Sequence, residues 1–433
     1  MVCLSIVAIA QHSHDHDHHG HDHHGHDHHS HADHGNHSTH VEHSGCMHID
    51  HGNKPYDPAA TAFHHIADAN VFSIGPLQIP LPCILYAPND GGLSMFMSSK
   101  FHIGHHGDGC KAVDGYVLNE GTVMRVADSS FPKGVVDIEG FGHAMVQKDG
   151  KEMEKPTAVY QGKNYILDKK STLDGGMLGG GISSYYDFSL TKNVVSMLIV
   201  ALLVGWLFIT AARAYKRREG QAPKGVQSFL EPFFVFIQDE VAKPFIGARW
   251  QEFIPFLMAL FFFILGLNLF GQIPFLGNAN VTGNLSFTLV LAVCAFIVTN
   301  INGNGHYWQH IFNMPGLPGF VKLIMTPVEI LGLFLKPFTL MLRLFANMTA
   351  GHIVVVIFVS MIFIFGDKGA YEWGLGRGTG SFIGGILAFA LTLFMMAIEL
   401  IVAFVQAFVF TILTASYIGA AVEEGHHDDA HAH

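Results

Sequence analysis

Apolar residues are spread very unevenly along this chain. Before Ser184 they come in short groups broken by glycine and polar residues; from Leu190 onward they form long runs. The run from Leu190 to Ala212 is long enough to cross a hydrocarbon core of ~30 Å as a helix. It is followed at once by Arg213, Lys216, Arg217, Arg218 and Lys224. Basic residues beside a span mark its cytoplasmic end, so whatever precedes this helix is expected outside.

The stretch Gln227 to Ile246 is apolar on part of its circumference but carries Glu231, Pro232, Gln238, Asp239, Glu240 and Lys243, which predicts a helix lying in the cytoplasmic interface. Phe253 to Phe270 then crosses outward, the uncharged segment Asn278 to Asn284 turns, and Leu285 to Thr299 returns. Asn302 to Lys322, with Pro315 and Pro318, reads as a cytoplasmic loop. The last two runs, Met325 to Phe363 and Phe382 to Ala421, are 39 and 40 residues long. As helices each would be roughly 60 Å, about twice the membrane core, so they either break or tilt steeply. The short glycine-rich link Gly366 to Ser381 pairs them as an antiparallel hairpin. The membrane part thus reads as all-α and polytopic, with one interfacial helix, five membrane helices and boundaries at about 185–424.

The region before it is of another kind. Met1 to Ala10 is apolar and ends in Ala-Ile-Ala, like the tail of a secretory signal whose start lies further upstream. Residues 11–53 are low-complexity His, Asp, Gly and Ser, unable to bury enough apolar surface to fold. Lys54 to Ser184 carries short β-favouring runs, Val135 to Ile138, Ala158 to Tyr160 and Tyr165 to Leu167, between turn residues. Val71 to Met97, with Ile79-Pro80-Leu81-Pro82, reads as extended because residues before proline avoid the α region. A small β-rich domain in the periplasm fits. Residues 425–433 form a His/Asp-rich cytoplasmic tail.

Composition agrees: 433 residues, 49% hydrophobic and only 14% charged, with 36 Phe, describe an integral membrane protein. The net charge of -11, with no basic stripe, argues against nucleic acid as a partner. Five scattered cysteines form no C-x-x-C pair. Cys46, Cys83 and Cys110 all precede the first span, and in an exported region two of them can pair. Cys294 reads as a small packing residue.

Against this background the intramembrane polar groups stand out. Arg343 lies inside the first long run, and a guanidinium cannot shed its charge; holding one at mid-bilayer costs ~2.5 to 3.5 kcal/mol on insertion scales. Intramembrane ionisable groups default to function, so ion movement is the first expectation. His352 follows Arg343 by a rise of roughly 13 Å and Gln406 follows Glu399 by roughly 10 Å. An antiparallel hairpin therefore brings His352 beside Glu399 and Arg343 beside Gln406. Helical phase keeps Asn347 near the arginine's face and turns His352 to the opposite side. A His and Glu pair suits protons, because imidazole titrates near neutrality and a carboxylate in low dielectric is raised toward it. Glu329 lies near the arginine's face toward the cytoplasm, where it marks either a second aqueous passage or, with Lys336, the headgroup level.

The run Leu342-Arg343-Leu344-Phe345-Ala346-Asn347-Met348-Thr349-Ala350-Gly351-His352 resembles the signature of the a subunit, or subunit 6, of rotary F-type ATP synthases. Asn268-Leu269-Phe270-Gly271-Gln272-Ile273-Pro274, Glu399 to Gln406 and Thr411-Ile412-Leu413-Thr414 match in order and spacing. The resemblance covers about Leu190 to Glu424. It implies a non-catalytic stator subunit of a bacterial inner membrane that cups a ring of c subunits, with a b-type peripheral stalk and the other subunits as partners and no cofactor. Arg343 is then the essential arginine facing the ring carboxylate, Asn347 and Gln406 its polar neighbours, His352 and Glu399 the periplasmic inlet and Glu329 the cytoplasmic outlet. Asn268, Gly271 and Pro274 belong to a structural motif. In some members the acidic and imidazole groups of the inlet are exchanged. The His-rich leader and the domain before Leu190 depart from the family core.

The alternative is a divalent metal-ion transporter, for which the leader is the one strong argument. Its imidazoles, among them His18, His19, His23, His24, His28 and His29, suit weak binding of Zn, Ni or Cu, or else form a solvated tail without a defined site. A transporter needs several ligands together at the midplane, and one histidine with one glutamate is too few.

Overall fold

The computed structural model describes residues 67–422 except 75–76, 90–91, 104–107, 149–150, 173–181, 219, 274–278, 313–317 and 368–378. The expectations for residues 1–10, 11–53 and 425–433, including the leader histidines and Cys46, and for Pro274, lie outside the described residues.

The first half is β-rich, as its short apolar groups predict. Strands β1 (Val71–Ile74) and β2 (Leu77–Pro80) form a hairpin, and β3 (Pro82–Ala87), β4 (Gly92–Met97) and β12 (Tyr186–Asp187) form a three-stranded sheet in the order β12-β3-β4. The third sheet has seven strands in the order β8-β5-β6-β7-β11-β10-β9. They are β5 (Lys111–Val113), β6 (Tyr116–Asn119), β7 (Thr122–Val126), β8 (Val135–Asp137), β9 (Gly140–Lys148), β10 (Lys151–Tyr160) and β11 (Lys163–Asp168). All pairings are antiparallel. The turn Asp114-Gly115, both at positive φ, closes β5 onto β6 as the two-residue hairpin geometry requires.

Successive side chains of a strand face opposite ways, and here both faces are covered. Tyr116, Leu118 and Val123 enter one core with Cys83, Leu85, Phe101 and Tyr185; Val117, Met124 and Val126 enter another with Ala158 and Leu167. β6 is therefore buried at every position, which is why Tyr116-Val117-Leu118 is apolar without alternation.

The root of the first membrane helix, α1 (Lys192–Arg217), is tied to this domain. Thr191 supplies no side-chain cap; instead the Lys192 amide donates to the Ala69 carbonyl (2.8 Å) and the Asn193 amide to Asp68 Oδ1 (3.3 Å). Two of the amides that a helix start leaves orphaned are satisfied from far upstream in the chain.

After α1 come α2 (Val226–Phe236), a π-helical turn Ile237–Ala242 and the short α3 (Lys243–Ile246), within the stretch expected to lie in the interface. Helix α4 (Trp250–Gln272) follows. The segment before α5 (Leu285–Ile301) is not a plain exposed loop: Ala279 and Val281 pack on Val200 and Leu267, and Asn284 Oδ1 caps α5 by accepting from the Ser286 and Phe287 amides. The expected loop Asn302 to Lys322 is likewise not plain coil. It contains α6 (Gly305–Phe312), bent 107° from α5, whose Tyr307 and Ile311 pack against Ala421, Ile330 and Leu333. Neither face of so short a helix is long enough to show a period.

The last two helices, α7 (Gly319–Asp367) and α8 (Thr379–Val422), are each continuous; α7 carries Pro327 and Pro337 without a break. They pack closely on each other, α8 also on α4 and α7 on α5. Among the described residues four helical segments are long and apolar enough to cross a membrane, and five if the bent pair α5 with α6 is counted as one span.

Candidate functional site

Helices α4, α7 and α8 converge on one ionisable pair. His352 Nδ1 of α7 lies 2.6 Å from Glu399 Oε1 of α8, both side chains largely shielded from solvent. The contact is close but off the ring N–H direction, so neither atom has a hydrogen bond of ordinary geometry, and His352 Nε2 is likewise buried without a partner among the described residues. Buried polar groups left short of partners are costly, which singles this place out.

Small residues let the elements meet here. Gly351 lies against Glu399: a Cβ there would sit 3.3 Å from Oε1. Gly271 of α4 backs onto His352, with a hypothetical Cβ 3.4 Å from Nε2 and only 2.7 Å from the Ala279 carbonyl. Neighbouring amides of α4 hold α8 in register: Asn268 Nδ2 donates to the Ala403 carbonyl (3.1 Å) and Gln272 Nε2 to the Glu399 carbonyl (2.8 Å). Gln272 appears in the sequence motif, but only the fold shows that it grips the backbone of Glu399. Thr349 Oγ1 reaches the Gly283 carbonyl at 3.3 Å, docking α7 on the turn before α5.

Arg343 lies toward the N-terminal end of α7 from the pair, about 13 Å along the axis. It is half-buried and, among the described residues, has neither a salt bridge nor a hydrogen bond. Leu344 and Met348, on the other side of the helix, are buried in the core, so the helix turns its apolar flank inward and leaves Arg343 and the exposed Asn347 toward the outside. Gln406 of α8 is 8% exposed. The expected approach of His352 to Glu399 is realised; no direct bond joins Arg343 to Gln406.

Further toward the N-terminus of α7, a small, partly open cavity is lined by Thr299, Asn300, Tyr307, Lys336, Leu340 and Tyr417 among others. Lys336 Nζ sits 5.6 Å from the Tyr417 ring centroid, and Tyr307 donates to Asn300 Oδ1 at 3.3 Å. Glu329 is half-buried within electrostatic reach of the Tyr307 hydroxyl. Nothing in the sequence marks Asn300, Tyr307 and Tyr417 as neighbours, because only the α6 turn brings them together.

No group of three or more potential metal ligands occurs among the described residues. In the β-rich region Cys110 is disulfide-bonded whereas Cys83 is a free, buried thiol, so Cys83 is not one of the pairing cysteines. Its surroundings push the thiol up to about 12, chiefly by burial, with Asp187 adding to the effect.

Helices of membrane length, an ionisable pair between them and a guanidinium without an ion-pair partner define a polytopic membrane protein of the kind that carries ions. The sequence model of a family described as ATP synthase A chain matches residues 194–419, and that of a domain of unknown function matches 61–137. The chain is 40% identical over 255 residues to the ATP synthase subunit a of Chloroherpeton thalassium, covering 57% of this chain and 71% of that protein. It is 39% identical over 272 residues to the subunit a of Myxococcus xanthus, covering 61% and 83%, and 39% identical over 252 residues to a subunit a 2 of Chlorobaculum tepidum, covering 57% and 67%. The chain belongs to the ATP synthase A chain family, the a subunits of F-type ATP synthases.

Proposed function

We propose that this subunit forms two half-channels against a ring of c subunits and couples proton flow to rotation, without itself catalysing ATP chemistry. The observation that carries the reading is the separation of Arg343, free of any ion pair among the described residues, from the close pair His352 and Glu399 on the same helix hairpin. On this reading protons enter through His352 and Glu399 from the periplasm and leave past Glu329 through the cavity beside Lys336 and Tyr417. Asn347 and Gln406 keep the surroundings of Arg343 polar.

A ring carboxylate that is protonated is neutral and can travel through lipid; an ionised one is too costly there. Arg343 favours the ionised form, which promotes release into the outlet and blocks a leak between the passages. Each proton falling through 100 mV supplies about 2.3 kcal/mol. A b-type stalk holds the stator against the ring's torque. The helices α2 and α3 lie in the cytoplasmic interface, α7 and α8 tilt steeply, and the membrane part ends near 424. Residues 54–184 then face the periplasm of a bacterial inner membrane, with the tail 425–433 in the cytoplasm.

The test is Arg343→Ala in vesicles carrying the assembled enzyme. ATP-driven proton pumping is expected to vanish while the ring still co-purifies; pumping at normal rate would overturn the reading. The metal-transporter alternative gains nothing from the described residues.

A further inference from the structure

Exposed apolar side chains in the β-rich region are not scattered. On β3 and β4 side chains alternate between two faces. One face carries Cys83, Leu85 and Phe96 into the core. The other carries Tyr86, Leu93 and Met97, with Met95 65% exposed. Leu77 on the neighbouring hairpin and Phe188 just after β12 are also exposed. Across the whole seven-stranded sheet, by contrast, only Val135 and Met145 are large, apolar and exposed among the described residues.

The apolar face is rooted where the chain enters the bilayer. The Phe188 amide donates to the Ile84 carbonyl (2.8 Å) and the Leu190 amide to the Pro82 carbonyl (3.2 Å), and α1 begins at Lys192. The segment after β12 is thus a continuation of this sheet that becomes the membrane helix. Charge agrees as well: from Val71 to Ser99 the sequence carries a single charged residue, Asp90. An uncharged surface rich in Leu, Met and Tyr at the end of a span suits the boundary between headgroups and acyl chains. Contiguous exposed apolar surface on a soluble part of a protein marks an interaction site.

We infer that the outer face of β3 and β4 rests on the lipid surface beside α1, so that the β-rich domain is seated on the membrane and not merely tethered to it. The occupant is phospholipid, because the sheet is joined through the segment bearing Phe188 and Leu190 to α1, a helix of membrane-crossing length on which Leu198, Leu202 and Trp206 are exposed. This does not depend on the route of protons.

The experiment uses the whole enzyme in vesicles of phosphatidylethanolamine and phosphatidylglycerol, with a photoreactive diazirine amino acid at Leu93, Met95 or, as control, Met145 on β9. After illumination the adducts are identified by mass. Phospholipid adducts at 93 and 95 at least about fivefold above those at 145 are expected. Adducts mainly to another subunit at 93 and 95 would assign the face to a protein partner and overturn the inference. Equal yields at all three positions would overturn it too, showing the face in water.

Discussion

His352 of α7 and Glu399 of α8 meet at 2.6 Å although each is borne on a separate long helix, and α4 fixes the meeting through Gln272, whose amide holds the Glu399 carbonyl. An imidazolium and a carboxylate at this distance attract, whereas two carboxylates both ionised, or two imidazoliums, would repel.

Exchanging the two groups is therefore informative. His352→Glu and Glu399→His alone each place like groups together and are expected to lower ATP-driven proton pumping at least tenfold. The double exchange recreates the pair in the opposite order and should recover well beyond the product of the two losses. Losses that simply multiply would show that the two residues act independently.

Two glycines on the hairpin should respond differently to the same change. A methyl group at Gly419 would collide with the Phe245 carbonyl group, whose carbon lies 2.8 Å from the required position. Backbone must move, so Gly419→Ala should cost ~2 kcal/mol or more and lower the yield and thermal midpoint of folded protein. At Gly351 the obstacle is the Glu399 side chain, which can yield. Gly351→Ala should fold with a near-normal midpoint yet change the pH profile of transport. Equal thermal stability for both would contradict the close fit of α3 on α8.

The Cys83 thiol provides a pH test outside the membrane. Its ionisation is pushed from 9.0 up to about 12 by burial. A group raised in the fold contributes stability that is full below its unfolded value and fades as pH climbs through the folded one, here between pH 9 and 12. At pH 8 the thiol stays protonated and enclosed. A water-soluble maleimide should modify Cys83 in the native protein at less than about a hundredth of its rate after denaturation, as followed by peptide mass. Comparable rates would mean that the core around Leu85 and Tyr185 is open.

Much of this was legible in the chain. Span lengths, the order of α1, α4, α5, α7 and α8, and the approach of His352 to Glu399 follow from run length, helical rise and antiparallel pairing, all of which are local or periodic. The family follows from motifs around Arg343 and Asn268. Other features escaped because they depend on packing between distant segments. The α6 turn is too short for a period, and the capping of α1 by Asp68 joins residues far apart in sequence. Cys83 carries no mark that distinguishes a buried thiol from a pairing one. Run length alone leaves open whether the last two helices break or tilt; α7 runs on through Pro327 and Pro337.

That unbroken helix has a mechanical corollary. Glu329, Arg343 and His352 ride on one continuous beam, spaced at about 1.5 Å per residue along its axis. Thrust applied at the arginine is delivered to the whole beam at once, and on the proposed function neither vestibule can drift relative to the other. A flexible joint at Pro337 would let the two gates slip out of step, and it is there that engineered slack should first uncouple the motor.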